Sequence, residues 1–134
     1  MKLKFMKSSK VSWIFRVIAA VILLQTLYFK FTGAQESIYI FTTLGIEPYG
    51  RFAAGIVELI ASILILIPRT TLLGSLIGLG VMAGAIVSHL FVLGIVVQND
   101  GGALFILAVI TFLCCAILVW QNKNAIPNLL KLKF

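Results

Sequence analysis

Residues 52–67 read FAAGIVELIASILILI, and Pro68-Arg69-Thr70-Thr71 separates this run from a second apolar one that starts at Leu72. Within the first run only Glu58 and Ser62 carry polar side chains, too few for the wetted face of a water-borne amphipathic helix, so hydrocarbon is the solvent that fits. Pro68 has no amide hydrogen to continue the helix and ends it in a tight turn.

Working outward from that turn, the following span runs from Leu72 to about Val97 and exceeds the minimum length, which requires tilt or projection beyond the hydrocarbon. The run Gln98-Asn99-Asp100-Gly101-Gly102 breaks it, and a last span follows from Ala103 to about Trp120. Upstream, a span covers about Ser12 to Phe31 after a start bearing Lys2, Lys4, Lys7 and Lys10. That start has the look of a signal peptide, but Arg16 interrupts the apolar run, and Gln25 and Lys30 make a poor approach to a cleavage point at Thr32-Gly33-Ala34; retention is expected. Between the first two spans, Gln35-Glu36-Ser37 opens a short helix through Leu44, with Gly45 and Pro48-Tyr49-Gly50 as breakers. Its Ile38, Tyr39, Ile40 and Phe41 are too apolar for a free loop, so it is expected to lie in the membrane interface. The fold class is therefore an all-α membrane protein: a four-transmembrane-helix bundle, residues 1–134 forming a single domain, with an interfacial helix between helices 1 and 2.

Composition agrees. The chain is 61% hydrophobic and 11% charged, against about 25% charged residues in soluble domains. Its net charge of +7 sits mostly at the chain ends and in the Arg69 turn, which suits anionic lipid rather than nucleic acid. Cys114 and Cys115 are adjacent in an apolar segment, match no redox or metal-ligand spacing, and read as small apolar packers; no metal site is expected. With the N-terminus inside, Lys2, Lys4, Lys7, Lys10, Arg16, Arg69, Lys123, Lys131 and Lys133 fall on the cytoplasmic side and only Lys30 and Arg51 outside, so both termini are expected to be cytoplasmic.

Helices in lipid associate through close van der Waals contact, which small residues permit. The third span offers two such pairs, Gly74 with Gly78 and Gly80 with Gly84, all expected at helix contacts.

Glu58 carries most of the functional information, because a carboxylate near the bilayer midplane costs several kcal/mol and needs a partner or a proton. Arg51, Gly55, Glu58 and Ser62 share one face of the second span, and that face must meet protein or a wet cavity. His89, in the outer half of the third span, is placed to meet it, about 7 Å farther out at ~1.5 Å per residue. Arg16 and Lys30 share a face of the first span, with Gln25 opposite. Lys30, Arg51, Glu58 and His89 are thus the candidate ligand-binding residues, Glu58 and His89 a candidate proton relay, and Arg16 and Asp100 candidates for structural ion pairs. The plainer account is that Lys30 and Arg16 snorkel, Arg51 anchors a helix end, and His89 is a satisfied core donor.

These residues form a pattern that resembles the DoxX family of small bacterial membrane proteins. Arg16, Lys30-Phe31-Thr32-Gly33, Leu44-Gly45, Gly55-Ile56-Val57-Glu58-Leu59, His89-Leu90, Gly94 and Asn99-Asp100-Gly101-Gly102 occur in that family's order across most of the chain. Two departures stand out: Leu104 replaces a Glu that many relatives carry two residues after the Gly-Gly pair, and Asn124-Ala125-Ile126-Pro127 replaces a Gly-rich end. If the missing acid belongs to a ligand site, that site is incomplete here or uses Asp100. The resemblance implies a four-helix fold in the bacterial cytoplasmic membrane and association with redox systems, since relatives include a small subunit of thiosulfate:quinone oxidoreductase and a partner in a thiol and superoxide defence complex. The expectation is an accessory subunit of a quinone- or thiol-linked redox system rather than an enzyme on its own, with a bound quinone in an outer-half pocket and a redox protein or a second copy as partner. The sequence has no flavin fingerprint, haem motif or Cys cluster to serve as an electron carrier. A non-catalytic scaffold or assembly factor is the alternative reading, and transport of a proton or small solute the third.

Overall fold

The computed structural model describes residues 9–131; Lys2, Lys4, Lys7 and Lys133, counted above for orientation, lie outside them. Four helical stretches are long and apolar enough to cross a membrane. They are α1 (Ser9–Thr32), α3 (Tyr49–Leu66), α4 (Thr71–Ser88, extended by a 3-10 turn before it and a π-helical turn, His89–Leu93, after it) and α5 (Ala103–Gln121). The short helix α2 (Gln35–Thr43) lies between α1 and α3, and a small helix, α6 (Ile126–Leu130), follows α5.

The spanning helices form a ring in which α1 packs on α3 and α5, and α4 on the same two from the opposite side. Outward faces are apolar throughout: Ile14, Val17 and Val21 on α1, Ile56, Ile60 and Ile63 on α3, and Ile106 and Leu113 on α5 are exposed. In water that surface would be an aggregation liability; in lipid it is the expected finish.

The centre of the ring is Gly78. A Cβ added there would lie 2.8 Å from Cys115 Sγ of α5, 3.9 Å from Ile65 of α3 and 4.0 Å from Leu23 of α1, so all four helices converge on one residue. Gly74 brings backbones together instead: its added Cβ would meet the Ile65 nitrogen at 2.6 Å and the Ala61 carbonyl at 2.9 Å. The second glycine pair departs from expectation. Gly80 and Gly84 are exposed with nothing within 4 Å of an added Cβ, because their spacing points them away from the face that holds Gly74 and Gly78. Cys114 and Cys115 are free thiols buried in the core, as expected of apolar packers.

Two boundaries also shift. Pro48-Tyr49-Gly50 begins α3 rather than only breaking the preceding helix: Pro48 caps it, and proline suits a helix start because the amide it lacks has no helical partner there. The third span stops at Leu93, not Val97. Gly94 turns out of the helix at φ 81°, and Val97 is buried in the loop that follows.

One end of the bundle holds Lys10, Arg16, Arg69, Lys123 and Lys131, and the other Glu36, Glu47 and Asp100, with Glu58 on that side of the centre. We call these the basic and acidic ends.

Candidate functional site

The face of α3 that carries Arg51, Gly55, Glu58 and Ser62 is buried, as the spacing required. Glu58 is 2% exposed and reaches across to α1. Its Oε1 lies 3.0 Å from Lys30 Nζ, which also donates to Oε2 at 3.2 Å. The Thr26 hydroxyl sits 2.8 Å from the same Oε2 and 2.9 Å from the Leu23 carbonyl, and its single proton serves one of them at a time. Ser62 donates to the Glu58 carbonyl at 2.7 Å. Lys30 therefore does not snorkel away but turns inward to pair with the buried acid. No sequence pattern singles out Thr26; the signal that it belongs to the site is its place one turn before Lys30 on the same side of α1.

Arg51 takes another role. Its Nε donates to both oxygens of Glu47, at 2.9 and 3.1 Å, its Nη1 donates to the Lys30 carbonyl, and its guanidinium lies over the Phe52 ring at 4.5 Å. It closes the end of α1, whose last carbonyls lack helical partners, and it is not among the residues lining the cavity described below. The expectation that Arg51 contacts ligand gives way to helix anchoring.

His89 is buried at the start of the π-helical turn. Its Nδ1 is 3.0 Å from the Gly94 carbonyl, which can only accept, so Nδ1 carries a proton and Nε2 is the ring nitrogen left to face other partners. The ring meets Phe105 of α5 edge-on at 5.6 Å. Among the described residues no hydrogen bond joins His89 to Glu58; they are two walls of one cavity, not a contact pair.

Asp100 makes no ion pair among the described residues. Its Oδ1 accepts from the amides of Val97 (3.0 Å) and Gly102 (2.8 Å), and its Oδ2 from Leu104 (3.1 Å), which ties the loop to the first turn of α5. Burial pushes this carboxyl up, but the three amides and the neighbouring His89 outweigh it and hold the group below the usual aspartate range. The ion-pair expectation fails because backbone donors, not a cation, surround the carboxylate. Arg16, the other ion-pair candidate, has no acidic partner among the described residues either; its guanidinium lies over the Trp13 ring at 4.8 Å.

The cavity occupies about 550 Å³ on the acidic side of the Gly78 layer. Lys30, Glu58, His89 and Asp100 line it together with Thr26 and Ser37. Apolar side chains such as Phe29, Met82 and Leu107 supply much of the rest of the wall, and α2 contributes Phe41, which it buries along with Ser37. The helix expected to lie in the interface is thus also a wall of this space. Gln25, expected on the opposite side of α1, is part of the lining too, and so is Leu104, where the resemblance led us to look for an acid. Among the described residues no three His, Cys, Asp or Glu side chains form a metal-binding group.

A model of the DoxX family matches residues 11–92, well over half of the chain and the whole of α3, α4 and His89. This chain belongs to the DoxX family. No curated protein and no solved structure matches it. The match stops short of α5, yet α5 completes the ring and brings Leu104 and Leu107 to the cavity of this DoxX protein.

Proposed function

We propose that the cavity receives the polar head of a quinone and that the chain works as an accessory subunit of a membrane redox system in the bacterial cytoplasmic membrane. The observation that carries this reading is a buried Lys30–Glu58 pair, with His89, lining an otherwise largely apolar cavity of about 550 Å³. Sites for small amphiphiles combine an apolar wall with a few convergent polar groups. Lys30 would donate to a ring carbonyl and stabilise the negative charge that reduction places on it. His89, with its Nδ1 proton held by Gly94, would exchange the proton of the ring oxygen through Nε2, and Glu58 would pass protons onward. Electrons would come from a partner protein. In this reading the basic end and both termini face the cytoplasm, which a C-terminal reporter active only outside the cell tests by staying silent.

The decisive experiment is quinone binding by purified protein. Glu58→Gln should weaken it at least tenfold while leaving the helical content unchanged; equal affinity in the two proteins would remove the cavity from consideration.

One observation favours a second reading, a scaffold that binds a protein partner or another copy of itself: Gly80 is an exposed small residue of α4 with open space around it that is not part of the cavity wall, unlike Gly84. Crosslinking in native membranes should then recover one stoichiometric partner even from Glu58→Gln cells.

A further inference from the structure

The basic end holds a buried cation that no side chain among the described residues neutralises. Arg16 is 8% exposed, its Nε is sealed without a hydrogen-bond partner, and one turn earlier the Ser12 hydroxyl is buried and unpartnered as well. The chain has four acidic side chains in all, Glu36, Glu47, Glu58 and Asp100, and every one lies towards the acidic end. The nearest along α1 is Glu58, held at the level of Thr26, ten residues and about 15 Å from Arg16. No carboxylate side chain of this protein can serve as its counter-ion, and the ring of Trp13 is a partial substitute.

Trp13 also lines a shallow groove on the outside of α1, together with Lys10, Ile14, Val17 and Ile18. The groove is cationic and aromatic at its Lys10 end and aliphatic along the rest. That sequence of chemistries mirrors a phospholipid: a phosphate bearing the charge and oxygen acceptors that Arg16 lacks, followed by an acyl chain. Guanidinium suits a phosphodiester better than ammonium does, because its planar fork can donate to two oxygens at once.

We infer that Arg16, with Lys10 and Trp13, forms a binding site for the headgroup of one anionic phospholipid, whose acyl chain lies along Ile14, Val17 and Ile18. The bound phosphate is the counter-ion of the buried guanidinium. The site is separate from the cavity around Glu58 and does not depend on the quinone reading.

Native mass spectrometry of delipidated protein, titrated with phosphatidylglycerol or phosphatidylcholine, tests this. Wild type should retain one phosphatidylglycerol with at least tenfold preference. Arg16→Gln should reduce that preference to less than twofold, and Lys131→Gln, which removes a cation at the same end, should leave it intact. Equal retention of the two lipids by wild type, or an unchanged preference in Arg16→Gln, overturns the site. Should Arg16→Gln fail to fold, the melting temperature of wild type reads the same point: phosphatidylglycerol must raise it, and phosphatidylcholine and inorganic phosphate must not. Stabilisation by inorganic phosphate to the same degree would mean a free-anion site and refute the lipid.

Discussion

Towards the acidic end, charged side chains meet partners within the chain: buried Glu58 takes Lys30 and Thr26, buried Arg51 takes Glu47 and a helix carbonyl, and the half-exposed Asp100 takes three amides. Space is left among them. Towards the basic end the helices close on Gly74 and Gly78, with Leu72, Leu118 and Cys115 buried nearby in the sequence of turns, and Arg16 meets no acid among the described residues. The half with satisfied charges is hollow, and the half with an unsatisfied one is packed. Stability of the closed half comes from shape; the open half spends its polar groups on holding a cavity in place.

The contrast breaks most visibly at the ion pair. Lys30→Met leaves Glu58 buried without its cation and should cost about 3 kcal/mol, the scale of a buried pair missing one partner. Adding Glu58→Leu should restore much of the loss, measured as a double-mutant cycle in reversible unfolding. A cost no greater than that of Lys131→Met would show that the pair does not hold the cavity.

Next in size is the packed half. Gly74→Ala drives a methyl into the Ile65 and Ala61 backbone, which cannot retreat as a flexible side chain can, and should cost about 1–3 kcal/mol. Gly78→Ala meets the Cys115 sulfur instead and should cost less, so the order of the two melting temperatures checks whether backbone contact sets the packing.

Asp100 sharpens the comparison through pH. Its folded-state value lies below the ordinary one, so the stability it contributes is present in full above about pH 4, the unfolded value, and is lost as pH falls through the lower folded value. Asp100→Asn should therefore lower the unfolding free energy by about 1 kcal/mol at neutral pH. The gap between variant and wild type should narrow below about pH 4. A gap that stays constant into acid would mean that the carboxylate charge is irrelevant to the loop.

The smallest effect belongs to the two glycines of α4 that touch no neighbouring helix. Gly80→Ala and Gly84→Ala meet open space and should change stability by under about 1 kcal/mol, in the favourable direction expected of helix propensity. A large loss for Gly80→Ala in native membranes, absent in detergent, would instead reveal a partner at Gly80, which is not part of the cavity wall.

Much of this architecture was legible in the sequence because hydrocarbon imposes lengths and breakers impose ends: the four spans, the Pro68 turn and the buried stripe of α3 follow from that. The stripe was readable because Glu58, Ser62 and Arg51 are rare polar marks on an apolar helix. Its partners were harder to see. Level in the membrane groups Lys30 with Glu58, but whether Lys30 pairs with the acid or snorkels depends on how α1 is rotated against α3, which the apolar pattern of α1 does not fix. The glycines of α4 were misread in part for a related reason. That helix is apolar on all sides, so spacing identified two close-packing pairs but not which one faces inward. The length of the third span was overestimated because Ile95, Val96 and Val97 are as apolar as a helix, while a single glycine at positive φ ends it.

The meeting of four helices at Gly78 also has a mechanical side. A helix pinned at one level behaves as a lever, and His89 lies eleven residues along α4 from that pin, about 16 Å of arm at ~1.5 Å per residue. Rocking α4 by about 5° would carry His89 through about 1.4 Å while hardly disturbing the pinned layer, taking helical rise as the measure of the arm. The fulcrum and the moving end are thus separated along a single helix, and a small change of angle at the tight centre becomes a change of width where a ligand would sit.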